Sequence, residues 1–150
     1  MTPKIFLLLN LAVAFYNAGT IWAHEVDIFR SWKLIPDPDV FHNVQKVHWR
    51  KLPYWVFIPV GLSFIGSIIL FWYHPVNVAG SDILVAIGVQ LFSHILTAIF
   101  WGPAQAKLSK DNAGKDSLWL QSILRTHWVR TFLINAYALL LLLISIKALA

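Results

Sequence analysis

Four long apolar stretches constrain the fold of this chain more than any other feature of its sequence. They cover residues 5–23, 53–73, 83–101 and 127–146, and Arg130 is the only charged residue among them. Each has close to the length of about 20 helical residues that crosses a bilayer core of about 30 Å. Because lipid offers no hydrogen-bond partners, the backbone amides must pair within each stretch as a helix. The sequence therefore predicts an all-α, single-domain, antiparallel four-helix bundle in the membrane.

The composition supports a membrane protein and excludes several other classes. Charged residues make up 13% of the chain and hydrophobic residues 58%, whereas soluble domains carry about 25% charged residues. The net charge is +5, but Lys and Arg lie in the segments between the apolar stretches, so no nucleic-acid partner is predicted. The absence of Cys excludes disulfides, thiolate-bound metals and c-type haem attachment. The predicted partner is the lipid bilayer.

The positions of the basic residues predict the orientation of the chain. The connections 25–52 and 102–126 contain every Lys and Arg except Lys4, Arg130 and Lys147. Because basic loops stay in the cytoplasm, both termini are predicted to lie outside it, in what we expect to be a bacterial inner membrane. The first stretch is predicted to be a retained helix, because Ile21 stands where a signal peptide would carry a small residue before a cut after Ala23.

Asp37, Pro38 and Asp39 predict the start of a short extra helix in the first cytoplasmic connection. They supply an N-cap, a first-turn proline and a first-turn acid. We expect this helix either to lie against the cytoplasmic mouth of the bundle or to continue through a kink at Pro53 into the second span.

Polar residues recur along each apolar stretch at helical spacing. They are Asn10, Asn17 and His24 in or just after the first stretch, Ser63 and Ser67 in the second, Gln90, His94 and Thr97 in the third, and His127, Thr131 and Asn135 in the fourth. Polar groups at membrane depth turn away from lipid, so we expect them to face one bundle interior. Asn10, Gln90, His94 and Asn135 are predicted to lie near the midplane, and Asn17 slightly closer to the cytoplasm. They either form hydrogen bonds that hold the helices together or line a polar cavity for a small ligand.

A second group of polar residues is predicted at the cytoplasmic mouth of the bundle. It consists of His24, Glu25, His48 and His127, with Arg130 beside it and His42 nearby. These histidines are either wetted by lipid headgroups and paired with Glu25, or they hold a metal ion, for which imidazole favours Cu, Fe or Zn. Further alternatives are a histidine pair that binds a b-type haem and a histidine bonded to a quinone. A carboxylate-bridged di-iron site is excluded, because Glu25 is the only Glu.

Several short motifs resemble those of a known family. The motifs are Thr97, Pro103 and Leu108, the segment THWVRT at residues 126–131, and Phe41, His42 and His48. Over nearly its whole length the chain resembles the four-helix membrane family that includes the fungal anthrone oxygenases. The resemblance implies oxygen addition to anthrones without an obvious bound flavin or haem, and it implies that Pro103, Arg130 and Thr131 are family residues. His127 departs from the pattern, since relatives often carry Asn there.

These observations predict an oxidoreductase that acts on a small hydrophobic aromatic or quinoid substrate. His94 would bind or deprotonate the substrate, because a histidine is suited to act as a base near neutral pH. The residues predicted around it are Asn17, Gln90, Asn135 and Arg130, and the histidines at the mouth would hold a metal ion or move protons. Two alternatives remain: a non-catalytic small subunit or assembly factor of a larger membrane complex, and a module that binds or transports a small ligand.

Overall fold

The computed structural model describes residues 1–150 as four long helices without any strand. The helices are α1 (Pro3–Leu34), α2 (Pro38–Trp72), α3 (Gly80–Leu108) and α4 (Leu118–Leu149). Each of them is long enough and apolar enough to cross a membrane. The predicted all-α, four-helix membrane fold is therefore confirmed.

The four helices form a closed ring in chain order. α1 packs against α2 and α4, and α3 packs against the same two helices, so that α1 and α3 lie diagonally opposite each other. The connections cover only residues 35–37, 73–79 and 109–117, and such short links join antiparallel neighbours. The side chains of Thr2, Asp37 and Ser117 cap the starts of α1, α2 and α4 by accepting hydrogen bonds from first-turn N–H groups.

The helices extend beyond the apolar stretches at the end of the bundle predicted to face the cytoplasm. Most of the segments 25–52 and 102–126, which the sequence suggested as connections, is helical. The predicted extra helix covers Pro38–Leu52, and it continues through Pro53 into the membrane-spanning part of α2. The second of the two arrangements expected for it is therefore the one found.

Three helices contain a π-helical turn near that same end. The turns cover His24–Ile28 in α1, Pro53–Phe57 in α2 and Thr97–Trp101 in α3, whereas α4 is α-helical throughout. At Pro53 the α-helical ladder cannot continue, because proline has no N–H group. In α3, the carbonyl oxygen of Thr97 lies 3.0 Å from where a Cβ on Gly102 would be, so this turn favours glycine. π-turns often accompany functional sites, and each of these contributes residues to the cavities described below.

Two apolar clusters leave a polar layer between them. The larger cluster lies toward the two chain termini and includes Leu7 and Leu141. The smaller lies at the opposite end and includes Phe29 and Leu120. All four helices contribute buried polar side chains to the layer between the clusters: Asn10, Asn17, Ser63, Ser67, Gln90, Ser93, Arg130 and Thr131. Because these polar side chains are buried inside the bundle, this layer is the candidate site.

Candidate functional site

A hydrogen-bonded network centred on Tyr137 joins the four helices. The hydroxyl oxygen of Tyr137 lies 2.6 Å from Ser67 Oγ and 3.1 Å from Ser63 Oγ. It also lies within 3.4 Å of Asn10 Oδ1, to which it can donate. Gln90 Nε2 donates to Ser63 Oγ over 3.2 Å. For Asn10 and for the amide nitrogen of Gln90, hydrogen bonding between helices is therefore the role that the contacts support.

Replacing Tyr137 with Phe is expected to lower the free energy of unfolding by about 1 kcal/mol, because the two buried serines and Asn10 lose a shared hydrogen-bond partner. The measurement is unfolding by dodecyl sulfate in mixed micelles. Tyr54→Phe is the control, since Tyr54 is 71% exposed. Equal losses in both variants would contradict a structural role for the network.

A cavity of about 300 Å³ lies beside this network, mainly among α2, α3 and α4, and Asn17 of α1 also lines it. Its walls are mainly apolar and include Val56, Phe57, Val60, Leu133 and Ile134. The polar side chains that line it are Asn17, Ser93, Gln90, His94, Thr97, Gln105, Arg130 and Tyr137. Four of the five residues predicted around a substrate thus border one cavity. A cleft with apolar walls and a few polar groups is the usual form of a small-molecule site.

Asn135 is the predicted residue that does not line this cavity. Its Nδ2 donates to the carbonyl oxygen of Thr131 over 2.8 Å, and its Oδ1 accepts from Trp22 Nε1 over 3.1 Å. Helix geometry explains why the regular spacing of Asn135 does not place it on the cavity lining. Successive steps of four residues, as from His127 to Thr131 to Asn135, drift by about 40° each around a helix with 3.6 residues per turn.

Tyr137 is the residue that sequence reasoning missed. Mixed steps of three and four keep a residue on one helix face, and such steps lead from His127 through Arg130 and Ile134 to Tyr137. Three of these four residues are fully or almost fully buried. The signal was therefore present in the sequence, but it was obscured by the more regular spacing of Asn135.

Arg130 is a buried cation without a carboxylate partner. Its side chain is only 7% exposed, and its Nε has no hydrogen-bond partner. The salt bridges of the protein involve Arg30, His127 and Lys147 instead. A buried charge left unpaired costs several kcal/mol, so the site maintains this guanidinium at the expense of stability.

A niche of about 20 Å³ extends the cavity toward His24, and Asn17 and Arg130 line both spaces. Three atoms of its lining residues have no partner: Asn17 Oδ1, His24 Nε2 and Arg130 Nε. His24 Nδ1 lies 2.7 Å from the carbonyl oxygen of Thr20, so this nitrogen carries the proton and Nε2 is an acceptor. The niche thus places one donor beside two acceptors, in a space large enough for a single water or hydroxyl group.

Glu25 and His127 form a pair at the histidine end, by which we mean the end of the bundle with His24, His48 and His127. His127 is fully buried, and its Nδ1 lies 3.0 Å from Glu25 Oε2. The other oxygen of Glu25 accepts from Arg30 Nη2 over 3.2 Å. His24 and Glu25 are both buried and begin the π-turn of α1. With Nδ1 donating to the carboxylate, His127 Nε2 is left as a buried acceptor without a partner.

The four residues predicted as metal ligands therefore lie near one another in two pairs. The rings of His24 and His48 are in edge-to-face contact with their centroids 5.3 Å apart. Phe29 separates this pair from the other, since its ring contacts His24 at 5.5 Å and His127 at 4.6 Å. No group of three or more His, Asp or Glu side chains is placed to hold one metal ion. The metal hypothesis is for that reason not part of the function proposed below.

The candidate site thus combines a cavity, a buried cation and a histidine-lined niche. Its residues come from all four helices and from widely separated parts of the chain. No protein-family model matches this chain, and no curated protein or solved structure is detectably similar to it.

Proposed function

We propose that this integral membrane protein binds a small aromatic ketone or quinoid molecule in the cavity among α2, α3 and α4 and oxidises it. The observation that carries the proposal is the cavity of about 300 Å³ with apolar walls and His94 on its lining. Its volume is at the lower end of the range of sites for small organic molecules, about 300–1,000 Å³. A flat ring system would contact the apolar walls, and its oxygen would meet the polar groups.

His94 is the base in this proposal. It is half-buried and lines the cavity, and its ring packs edge to face on Phe64 with the centroids 5.2 Å apart, which restrains its orientation. A histidine can remove a proton from a C–H group activated by an adjacent carbonyl. The resulting enolate reacts with dioxygen. For anthrone the overall reaction consumes one dioxygen and releases anthraquinone and one water.

The resemblance to the family of the fungal anthrone oxygenases supports this class of substrate. Pro103, Arg130 and Thr131, which the resemblance implies are family residues, lie on α3 and α4. Two residues of the shared motifs, Thr97 and Arg130, line the cavity. Binding inside the bundle gives an apolar substrate access to the site from the membrane in which it dissolves.

Oxygen consumption with anthrone as the probe tests the proposal. The protein is reconstituted in nanodiscs, and uptake is compared with empty nanodiscs. His94→Leu is expected to reduce the rate by roughly 100-fold or more, the usual contribution of a general base. Ala98→Trp is expected to abolish uptake as well, because Ala98 lines the cavity and a large side chain there would occupy it.

Ala12→Trp is the matched control. Ala12 is also an exposed alanine in a membrane-spanning helix, but it does not line the cavity. It should retain the rate of the unmodified protein. A rate for the unmodified protein equal to that of empty nanodiscs, or an unchanged rate in His94→Leu, would overturn the proposed reaction.

A further inference from the structure

We infer that the ligand of the cavity presents an anionic oxygen, as a phenolate, enolate or carboxylate, and that Arg130 is the residue that binds it. The inference deepens the proposed function and rests on it, since it requires that the cavity hold a small molecule. The inference depends on one observation about Arg130. A guanidinium more than nine-tenths buried lines an apolar cavity, and no protein carboxylate pairs with it.

The acidic side chains of the protein either pair with other residues or do not line the cavity. Both oxygens of Glu25, the acid of the histidine end that is buried, are engaged by Arg30 and His127. Asp82 pairs with Lys147 at the opposite end of the bundle. The remaining acids are Asp27, Asp37, Asp39, Asp111 and Asp116, none of which lines the cavity. A counter-charge for Arg130 must therefore come from outside the chain.

The residues around Arg130 also indicate the chemical character of the ligand. Apolar residues such as Val56, Val60 and Ile134 line the same cavity, so the anionic group must be attached to an apolar body. Arg130 Nε is an unused donor, whereas Asn17 Oδ1 is an unused acceptor of the adjoining niche. An oxyanion that meets Arg130, with a hydroxyl group or a bridging water beside it, satisfies both kinds of atom. A neutral hydrocarbon satisfies neither.

An anionic oxygen can belong to a free small molecule or to the phosphate of a membrane lipid. Both place negative charge on a guanidinium, and both have an apolar body. The two sources differ in how phenolate binding responds to anionic phospholipid in the micelle. If the site accepts a lipid phosphate, added phospholipid competes with the phenolate and weakens its binding. If the site accepts only a free ligand, added phospholipid has no effect.

The test uses para-nitrophenol and its methyl ether, para-nitroanisole, on the detergent-purified protein. The two probes have nearly the same shape, but only the phenol can ionise, and its anion absorbs at a distinct wavelength. Titrations are made at a pH at which the free phenol is mostly protonated. The phenolate absorption is expected to rise on binding, and the ether is expected to bind about tenfold or more weakly.

Variants identify Arg130 as the cause. Arg130→Gln should remove both the phenolate absorption and the preference over the ether, whereas Arg130→Lys, which keeps the charge, should retain part of each. Arg125→Gln removes an equal charge from an exposed position on the same helix and should change neither the phenolate absorption nor the preference.

Repeating the titration with added anionic phospholipid distinguishes the two sources of the oxygen. If added phospholipid weakens phenolate binding to the unmodified protein and to Arg130→Lys, the site accepts a lipid phosphate. If phenolate binding is unchanged, the site accepts a free ligand. Either result supports the anion site.

The outcomes separate this inference from the proposed function. Equal affinity for phenol and ether, with no phenolate absorption, would overturn the anion site and leave a cavity that binds neutral aromatics. Phenolate binding that survives Arg130→Gln would likewise show that another residue holds the charge. If the unmodified protein binds neither probe, the inference and the ligand cavity of the proposed function both fail.

Discussion

Replacing Arg130 with Met is expected to stabilise the ligand-free protein by about 1–4 kcal/mol and to abolish its affinity for phenolates. The physical reason is that the buried guanidinium has no anionic partner within the protein. A methionine of similar length fills the space without the cost of removing a charge from water. Site residues often lower stability in this way, because they are selected to interact with a ligand and not with the protein around them.

The measurement is unfolding by dodecyl sulfate with and without para-nitrophenol. Added probe should stabilise the unmodified protein, because a ligand that binds only the folded state shifts the equilibrium toward it, and it should leave Arg130→Met unchanged. Arg125→Met is the control for loss of a positive charge, and it is expected to alter neither quantity. If Arg130→Met is instead strongly destabilised, Arg130 has a partner within the protein, and the argument for an external anion is lost.

Replacing Gly66 with Ala is expected to destabilise the bundle by about 1–3 kcal/mol. A Cβ at this position would lie 2.1 Å from Asn10 Nδ2 and 2.9 Å from Asn10 Cγ. Asn10 cannot move aside freely, because it is buried and its Oδ1 lies within reach of the Tyr137 hydroxyl. The added methyl group therefore either separates α1 from α2 or breaks the link between Asn10 and the central network.

Gly61→Ala provides the matched control on the same helix. No atom lies within 4 Å of where its Cβ would be, so the higher helix propensity of alanine should leave the protein unchanged or up to about 1 kcal/mol more stable. A double variant tests the stated cause. Adding Asn10→Ala to Gly66→Ala should cost less than the two separate losses together, because the clash is then absent. Additive losses would mean that Gly66 matters for a reason other than Asn10.

The sequence was informative about the residues of the site and less so about their grouping. Asn17, Gln90 and His94 were predicted to face the interior and Arg130 to lie beside the mouth, and all four line one cavity. The reason is general, because a polar side chain in a membrane helix has only the interior as a favourable direction. His24, Glu25, His48 and His127 do lie near one another, but the sequence did not show that Phe29 divides them into two pairs.

The errors share one physical cause, which is the rotational phase of a helix. Asn135 and Tyr137 are two residues apart, and which of them faces the interior depends on the rotation of α4 against its neighbours. π-turns add a further uncertainty, because each inserts a residue into the helical repeat and changes the phase of everything after it.

The sequence by itself determined that this chain forms four helices in a membrane, because a long uncharged stretch in lipid must satisfy its own backbone amides, and that requirement is local. Only the tertiary structure decided that Arg130 is left without a partner, that Tyr137 joins the helices, and that a cavity remains beside them. These features depend on how closely the helices approach and how each is rotated. Packing between residues that are distant in the chain, such as Gly66 and Asn10, determines both the approach and the rotation.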